Sequence, residues 1–343
     1  MHHKVTALTK YLAVASTALV VLAGCGSAVK DAGSSSASQS AASASGKQTK
    51  YPLTVESCGV TQTYDAPPKR AVTLTSTATE TMLELGLGDK MVGTAYLKGR
   101  TIGPQYKAAY DKIPVLAAGQ PSMEQLLAVN PDFVYAGYPD GFSDSTGHTR
   151  QQLQDLGIKT HLSPVGCTDE PKKLQDEPDE LKTIGEIFNV NAAADKAIKK
   201  YDATVDKVKK TVKSAKRPKV FLYNSGTDAP QTVGGWAYAS VMIDAAGGEN
   251  IFADQPLRWG KMSWEQVAAA NPDIILIYDY LDPSVDSKIE TLKNIPALAD
   301  TTAIKDGNFA TISLSLAQPG PRSADGIEEL AKQFHPDLYP KKK

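Results

Sequence analysis

A chain of 343 residues is long enough for about two domains, and 41% hydrophobic residues is enough to build full cores. Its 37 basic residues offset 38 acidic ones, which excludes bulk attraction to nucleic acid or an anionic membrane and leaves partners to local sites. No run reaches the roughly 18 apolar residues of a membrane span.

The N-terminus reads as a targeting segment over residues 1–24. His2, His3, Lys4 and Lys10 make a positive start, Tyr11 to Leu22 a short apolar run, and Leu22-Ala23-Gly24-Cys25 its end. This ending resembles a bacterial lipobox, which implies cleavage before Cys25 and lipidation of its sulfur. Residues 25–50, rich in Ser, Ala and Gly without periodicity, then read as a flexible tether that leaves the folded part lipid-anchored on the extracytoplasmic face of the cell membrane. In an exported chain the remaining Cys58 and Cys167 suggest one disulfide, with two buried thiols as the alternative.

The folded part divides into a first lobe over 51–180, a linker region over 181–217 and a second lobe over 218–343. In the first, 51–63 and 71–75 read as strands around Asp65-Ala66-Pro67-Pro68, followed by a helix from Ser76 that closes at Gly86 or Gly88 and a strand over 90–96. A helix over 123–129, a buried strand over 133–138, a helix over 151–156 and a strand over 160–165 follow. From Asn191 to Lys216, Ala194, Ile198, Tyr201, Val205, Val208, Val212 and Ala215 recur at helical spacing while Lys and Asp fill the other faces. This is one amphipathic helix, capped by Asn191 and roughly 37 Å long, the length of a strut between lobes. In the second lobe strands read over 219–223, 274–280 and 309–313, with helices over 237–246, near 288–292 and over 323–334.

Met123-Glu124-Gln125-Leu126-Leu127-Ala128-Val129-Asn130-Pro131-Asp132 aligns without a gap with Trp264-Glu265-Gln266-Val267-Ala268-Ala269-Ala270-Asn271-Pro272-Asp273, and an apolar run follows each. Asn before Pro leaves the α region and ends the helix, and the run after Asp suits a strand buried on both faces. The repeat predicts two Rossmann-like α/β lobes with mostly parallel sheets. Ligands of such sheets lie beyond the carboxyl ends of the strands, which selects Ser76, Thr77, Tyr96, Tyr138, Asn224, Ser225, Tyr280 and the loop after Ser313, with Trp236, Arg258, Trp259 and Arg322 nearby. For each aromatic residue, packing at a lobe edge is the competing reading; Trp264 on the repeat helix reads as core.

No HExxH, GxSxG, P-loop or closely spaced Cys set occurs, and His148, His161 and His335 are scattered. The sequence therefore supports neither an enzyme nor a metal centre, and no cofactor. An anchored hydrolase using Ser76 or Ser225 is the competing class, since triads assemble in space.

The lipobox, the tether, Ser76-Thr77-Ala78-Thr79-Glu80 through Leu85-Gly86-Leu87-Gly88-Asp89, both Asn-Pro-Asp repeats, the single linker helix and Pro321-Arg322-Ser323-Ala324-Asp325-Gly326 together resemble the substrate-binding lipoproteins of ABC importers for ferric siderophores and cobalamin. The resemblance implies a monomer that holds its ligand between lobes, closes only modestly, and delivers to a permease and its ATPase. It also implies one acid on each lobe that docks on permease arginines. Glu80 matches the first position, whereas the second lobe has Val241 where the family usually has Glu, with Asp244 one turn on. Ferric siderophore leads as the ligand, with cobalamin or haem as alternatives. The opening Tyr51-Pro52-Leu53-Thr54-Val55-Glu56-Ser57-Cys58-Gly59, with Cys167, also resembles an actinobacterial branch linked to a deazaflavin-cofactor precursor.

Overall fold

A computed structural model of the chain describes residues 48–339 apart from 98, 168, 169 and 281. The export signal, Cys25 and nearly all of the tether lie outside the described residues.

The first lobe opens with an antiparallel hairpin, β1 (Leu53–Ser57) and β2 (Val60–Tyr64). The single long strand expected over 51–63 is thus two strands. Cys58 (φ 53°) and Gly59 (φ 74°) both lie in the left-handed region, the requirement of a tight two-residue hairpin turn. There follow β3 (Ala71–Thr73), α1 (Ser76–Glu84), β4 (Met91–Ala95), α2 (Lys107–Tyr110), β5 (Val115–Ala117), α3 (Met123–Ala128), β6 (Phe133–Ala136), α4 (Arg150–Asp155) and β7 (Lys159–Leu162). The strands form a parallel sheet in the order β5-β4-β3-β6-β7. A connector over 163–175 leads to α5 (Asp176–Ile187), a helix without a matching expectation because acids and Pro178 crowd its first turns.

The strut is α6 (Asn191–Val212). Its Ala194 and Ala197 pack into the first lobe's core with Leu181 and Ile184, whereas Tyr201, Val205, Val208 and Val212 pack into the second lobe's core with Leu222, Leu276 and Ile327. One apolar stripe therefore serves both cores. Val190, not Asn191, occupies the N-cap position, and the Asn191 side chain instead donates to Thr49 Oγ1 at 2.9 Å.

The second lobe contains β8 (Lys219–Tyr223), β9 (Gln231–Val233), α7 (Tyr238–Ala245), β10 (Glu249–Asn250), β11 (Trp259–Lys261), α8 (Trp264–Ala270), β12 (Ile274–Asp279), α9 (Val285–Lys293), α10 (Thr302–Asp306), β13 (Phe309–Ser313) and α11 (Ser323–Phe334). Its main sheet is parallel, in the order β10-β8-β12-β13, and β9 pairs with β11 as a separate antiparallel ribbon.

The internal repeat is structural. Ser122 and Ser263 each close a capping box with Gln125 and Gln266 at the starts of α3 and α8. Asn130 (φ 44°) and Asn271 (φ 46°) each end the helix in the left-handed region, where Asn is better tolerated than most residues. Asp132 then accepts from the Lys69 and Arg70 amides at 2.8 Å, and Asp273 from the Lys219 amide at 2.8 Å. In both lobes the repeat's Asp thus ties its strand to the start of the neighbouring strand, β3 or β8. Trp264 is buried against Phe221 and Tyr223, as its core reading requires.

Candidate ligand-binding cleft

A cavity of about 390 Å³ lies between the lobes. The first lobe contributes Tyr96 and Arg100 after β4, and Tyr138 and Asp140 after β6; the second contributes Trp259, Tyr278 and the loop over 314–319. Arg258 and Lys172 add positive charge, Lys172 from the connector. Strand carboxyl ends thus frame the cavity, as expected for parallel sheets.

Tyr96 sits at φ 61°, a conformation that costs a tyrosine about 1–3 kcal/mol and persists only where the surroundings impose it. Its amide donates to Gly119 O at 3.0 Å, and the Arg100 guanidinium lies 4.9 Å from its ring centre. Burial raises the Tyr138 hydroxyl to about 12 against the opposing pull of Arg100 and Arg258, so it stays a neutral hydrogen-bond donor. Arg258 donates to Gly166 O at 3.2 Å. Trp259, 45% exposed, packs over Tyr278 with ring centres 5.9 Å apart. Among the described residues the lining has three cations and one acid, Asp140. Such a cleft favours a ligand with anionic groups and flat or apolar surface.

Of the residues expected at the site, Tyr96, Tyr138, Arg258 and Trp259 line the cavity, whereas Thr77, Ser225, Trp236, Tyr280 and Arg322 do not. Thr77 shares a hydroxyl contact with Thr75 at 3.3 Å and lies against Gly320. Ser225 bridges to Gln231. Trp236 contributes its carbonyl, which accepts from the Lys172 amide at 3.2 Å. The Tyr280 ring instead receives the Lys288 ammonium at 5.0 Å, and the second lobe's aromatic lining includes Tyr278, two residues earlier and still within β12.

Arg322 is spent on Glu80. Its Nε donates to Glu80 Oε2 at 2.8 Å and its Nη2 to Glu80 Oε1 at 2.7 Å, and both side chains are buried. Burial pushes the Glu80 carboxyl upward and the Arg322 bonds pull it back. With 2% of its surface exposed, Glu80 is not placed to meet a permease, which corrects that expectation. Asp244 is exposed but pairs with Arg217, so the two expected docking acids occupy unlike settings. The acids that occupy like settings are Glu124 and Glu265, one on the first turn of each repeat helix and both exposed. The repeat itself carried this signal. Cys58 and Cys167 form a disulfide. Arg100 and Lys172 lie on loops without periodicity, and only the assembled fold brings them to the cleft.

Residues 72–314 match the family model described as periplasmic binding protein, and the chain belongs to that family. It is 25% identical over 327 residues, 94% of this chain and 95% of the relative, to the uncharacterized ABC transporter substrate-binding lipoprotein YvrC of Bacillus subtilis. It is 28% identical over 286 residues, 80% of this chain and 71% of the relative, to a cobalamin-binding protein of Halobacterium salinarum. A periplasmic binding protein of Veillonella parvula superposes with a TM-score of 0.77 at 32% identity, covering 83% of this chain and 97% of that one. An ABC-type Fe3+-hydroxamate transport system protein of Saccharomonospora viridis superposes at 0.70 with 27% identity, covering 83% and 99%.

Proposed function

We propose that this protein is the lipid-anchored, extracytoplasmic substrate-binding component of an ABC importer, and that it captures a ferric siderophore-type chelate for a permease and its ATPase. The observation that carries the reading is the interlobe cavity, which Arg100, Lys172 and Arg258 line together with Tyr96, Tyr138, Trp259 and Tyr278. Anionic iron chelates offer carboxylate or catecholate oxygens to such cations and flat surface to such rings. The likeness to an Fe3+-hydroxamate transport system protein and to the substrate-binding lipoprotein YvrC supports it. A deazaflavin-cofactor precursor, with one aromatic ring system and a phosphate, is the second reading. The cavity of about 390 Å³ is near the lower end of the roughly 300–1,000 Å³ typical of ligand pockets, which favours such a compact anion over cobalamin.

Docking on the permease is assigned to Glu124 and Glu265. Hydrogen bonding at the helix start holds the exposed Glu265 carboxyl below its ordinary range, so it is ionised at neutral pH. The test begins with tryptophan fluorescence of residues 47–343, titrated with ferric catecholates, ferric hydroxamates, haem, cobalamin and the deazaflavin precursor. Saturable quenching by an iron chelate, absent with its iron-free form, is expected; a response to the deazaflavin precursor alone would replace the ligand, and turnover of any probe would replace the class. Arg258→Ala is expected to weaken binding about 10- to 100-fold, the loss of one charge-assisted hydrogen bond. Glu124→Arg with Glu265→Arg is expected to abolish uptake at unchanged ligand affinity; normal uptake would refute the docking assignment.

A further inference from the structure

We propose that the Cys58–Cys167 disulfide is a positioning element of the cleft: it fixes the connector on which Lys172 and Arg258 are held, so that ligand affinity depends on the bridge. This rests on the reading of the cavity as the ligand site.

The hairpin that carries Cys58 has its own anchors. Ser57 Oγ donates to Leu162 O at 2.7 Å and accepts from the Leu162 amide at 3.1 Å. Gln62 Nε2 donates to Thr160 O at 2.9 Å, and the Thr160 amide donates back to Gln62 Oε1 at 3.0 Å. The buried Arg150 guanidinium donates to Ser57 O and Thr160 Oγ1. These bonds hold the hairpin against β7 on both sides of its turn, so its place does not depend on the disulfide.

The other end of the bridge is differently placed. The connector leaves the first lobe at Ser163, whose amide donates to Ala136 O at 2.9 Å; beyond it come short turns, Gly166 N to Ser163 O at 2.8 Å and Cys167 N to Pro164 O at 3.2 Å. It also has ties to the second lobe. Val165 is buried in that lobe's core, the Lys172 amide donates to Trp236 O at 3.2 Å, and Gly166 O accepts from Arg258. At Cys167 the disulfide therefore adds a covalent tie to the first lobe beyond the Ser163 bond.

Two cleft cations take their positions from the fastened segment. Lys172 Nζ donates to Cys167 O at 2.8 Å, and Arg258 Nη1 donates to Gly166 O at 3.2 Å. Two adjacent carbonyls, on the disulfide residue and its neighbour, thus orient cations from the connector and from the second lobe. The same backbone crosses Gly137 and Tyr138 so closely that a Cβ on Gly166 would overlap Gly137 O. A shift of the connector consequently reaches Tyr138 as well.

A bridge that only restricted the unfolded chain would raise Tm and leave the folded cleft unchanged. The experiment compares wild type with Cys58→Ser/Cys167→Ser below both Tm values, using ferric 2,3-dihydroxybenzoate as ligand probe and, without ligand, iodide against acrylamide quenching of tryptophan and hydrogen exchange of peptides. Removal of the bridge is expected to weaken ferric 2,3-dihydroxybenzoate binding about tenfold, the scale of a displaced charge-assisted contact. Without ligand it should reduce the iodide-to-acrylamide quenching ratio, because the cations no longer converge near Trp259, and should speed exchange over 163–175 while β1 and β2 stay protected. Unchanged quenching and exchange over the connector, or loss of protection confined to the hairpin, would overturn the inference. If the serine variant does not fold, folded wild type is reduced and reoxidised, and the same signals must be lost and recovered. Should wild type not bind the iron probe, the ligand reading fails while quenching and exchange still decide the role of the bridge.

Discussion

Glu177 is buried on α5, and its Oε1 has no hydrogen-bond partner. Burial first, then the charges of Glu180 and Glu80, raise its carboxyl well above the ordinary range, which favours its neutral form. One turn along, burial also opposes ionisation of Glu180, but His161 and Tyr135 outweigh it and hold that carboxyl low. The sign of the pH effect follows. Because the folded-state pKa of Glu177 lies above the unfolded one, the unfolded chain releases this proton first, and stability falls as pH rises from about 4.5 towards the raised value. Glu177→Gln is expected to remove up to about 1.4 kcal/mol per pH unit of that slope, read from urea unfolding between pH 4.5 and 8.5. Parallel curves for variant and wild type would refute the assignment. Nothing near Glu177 in sequence announces this, and the same is true of Glu80 and Arg322, which are 242 positions apart. Tyr96 and Tyr138 were legible because they follow strands, where the rule for parallel sheets operates without tertiary detail. Arg322 follows no strand closely enough for that rule to separate a ligand contact from a lobe contact.

At the scale of elements, the repeat and the strut were the most legible parts, because periodicity and a shared ten-residue pattern survive without knowledge of contacts. The short strands β5, β9, β10 and β11 were not, since two or three residues are too few to show alternation. The hairpin turn was hidden for another reason. Cys58-Gly59 replaces the Asn-Gly or Asp-Gly usual in such turns, and alternating residues on either side read as one strand. The strut's role gives a direct prediction. Ala203 is exposed on α6 just past Tyr201, where the helix passes onto the second lobe's core, so Ala203→Pro removes a helix hydrogen bond without deleting a core side chain. The expected cost is about 3 kcal/mol or more in urea unfolding. If α6 couples the lobes, the loss should be accompanied by separation of one transition into two when tryptophan emission, dominated by the second lobe's Trp236, Trp259 and Trp264, is compared with far-UV circular dichroism. A single unshifted transition by both probes would show that the lobes do not need a continuous helix.

For the whole molecule, the lobes are joined by more than the strut. The connector over 163–175 crosses between them, and Arg322 of the second lobe enters the first, where it binds Glu80 and also donates to Thr101 O at 2.9 Å. Ser315 beside it accepts from the Thr101 amide at 2.9 Å. A continuous helix bends only by straining its hydrogen-bond ladder, and a buried ion pair resists separation because each charge would lose its partner. Together these ties predict a small closure: the radius of gyration from solution scattering should change by less than about 1 Å on ligand binding. The ion pair's share can be isolated. Arg322→Met alone leaves Glu80 buried without a counter-charge and should cost about 3–5 kcal/mol, whereas Glu80→Met/Arg322→Met replaces both charges with apolar side chains and should recover most of that loss. If the pair acts as a clasp, the double variant, though stable, will show a larger radius without ligand and a larger contraction with it. Scattering curves indistinguishable from wild type would assign the restraint to the strut and connector and leave Glu80 and Arg322 as a structural pair alone.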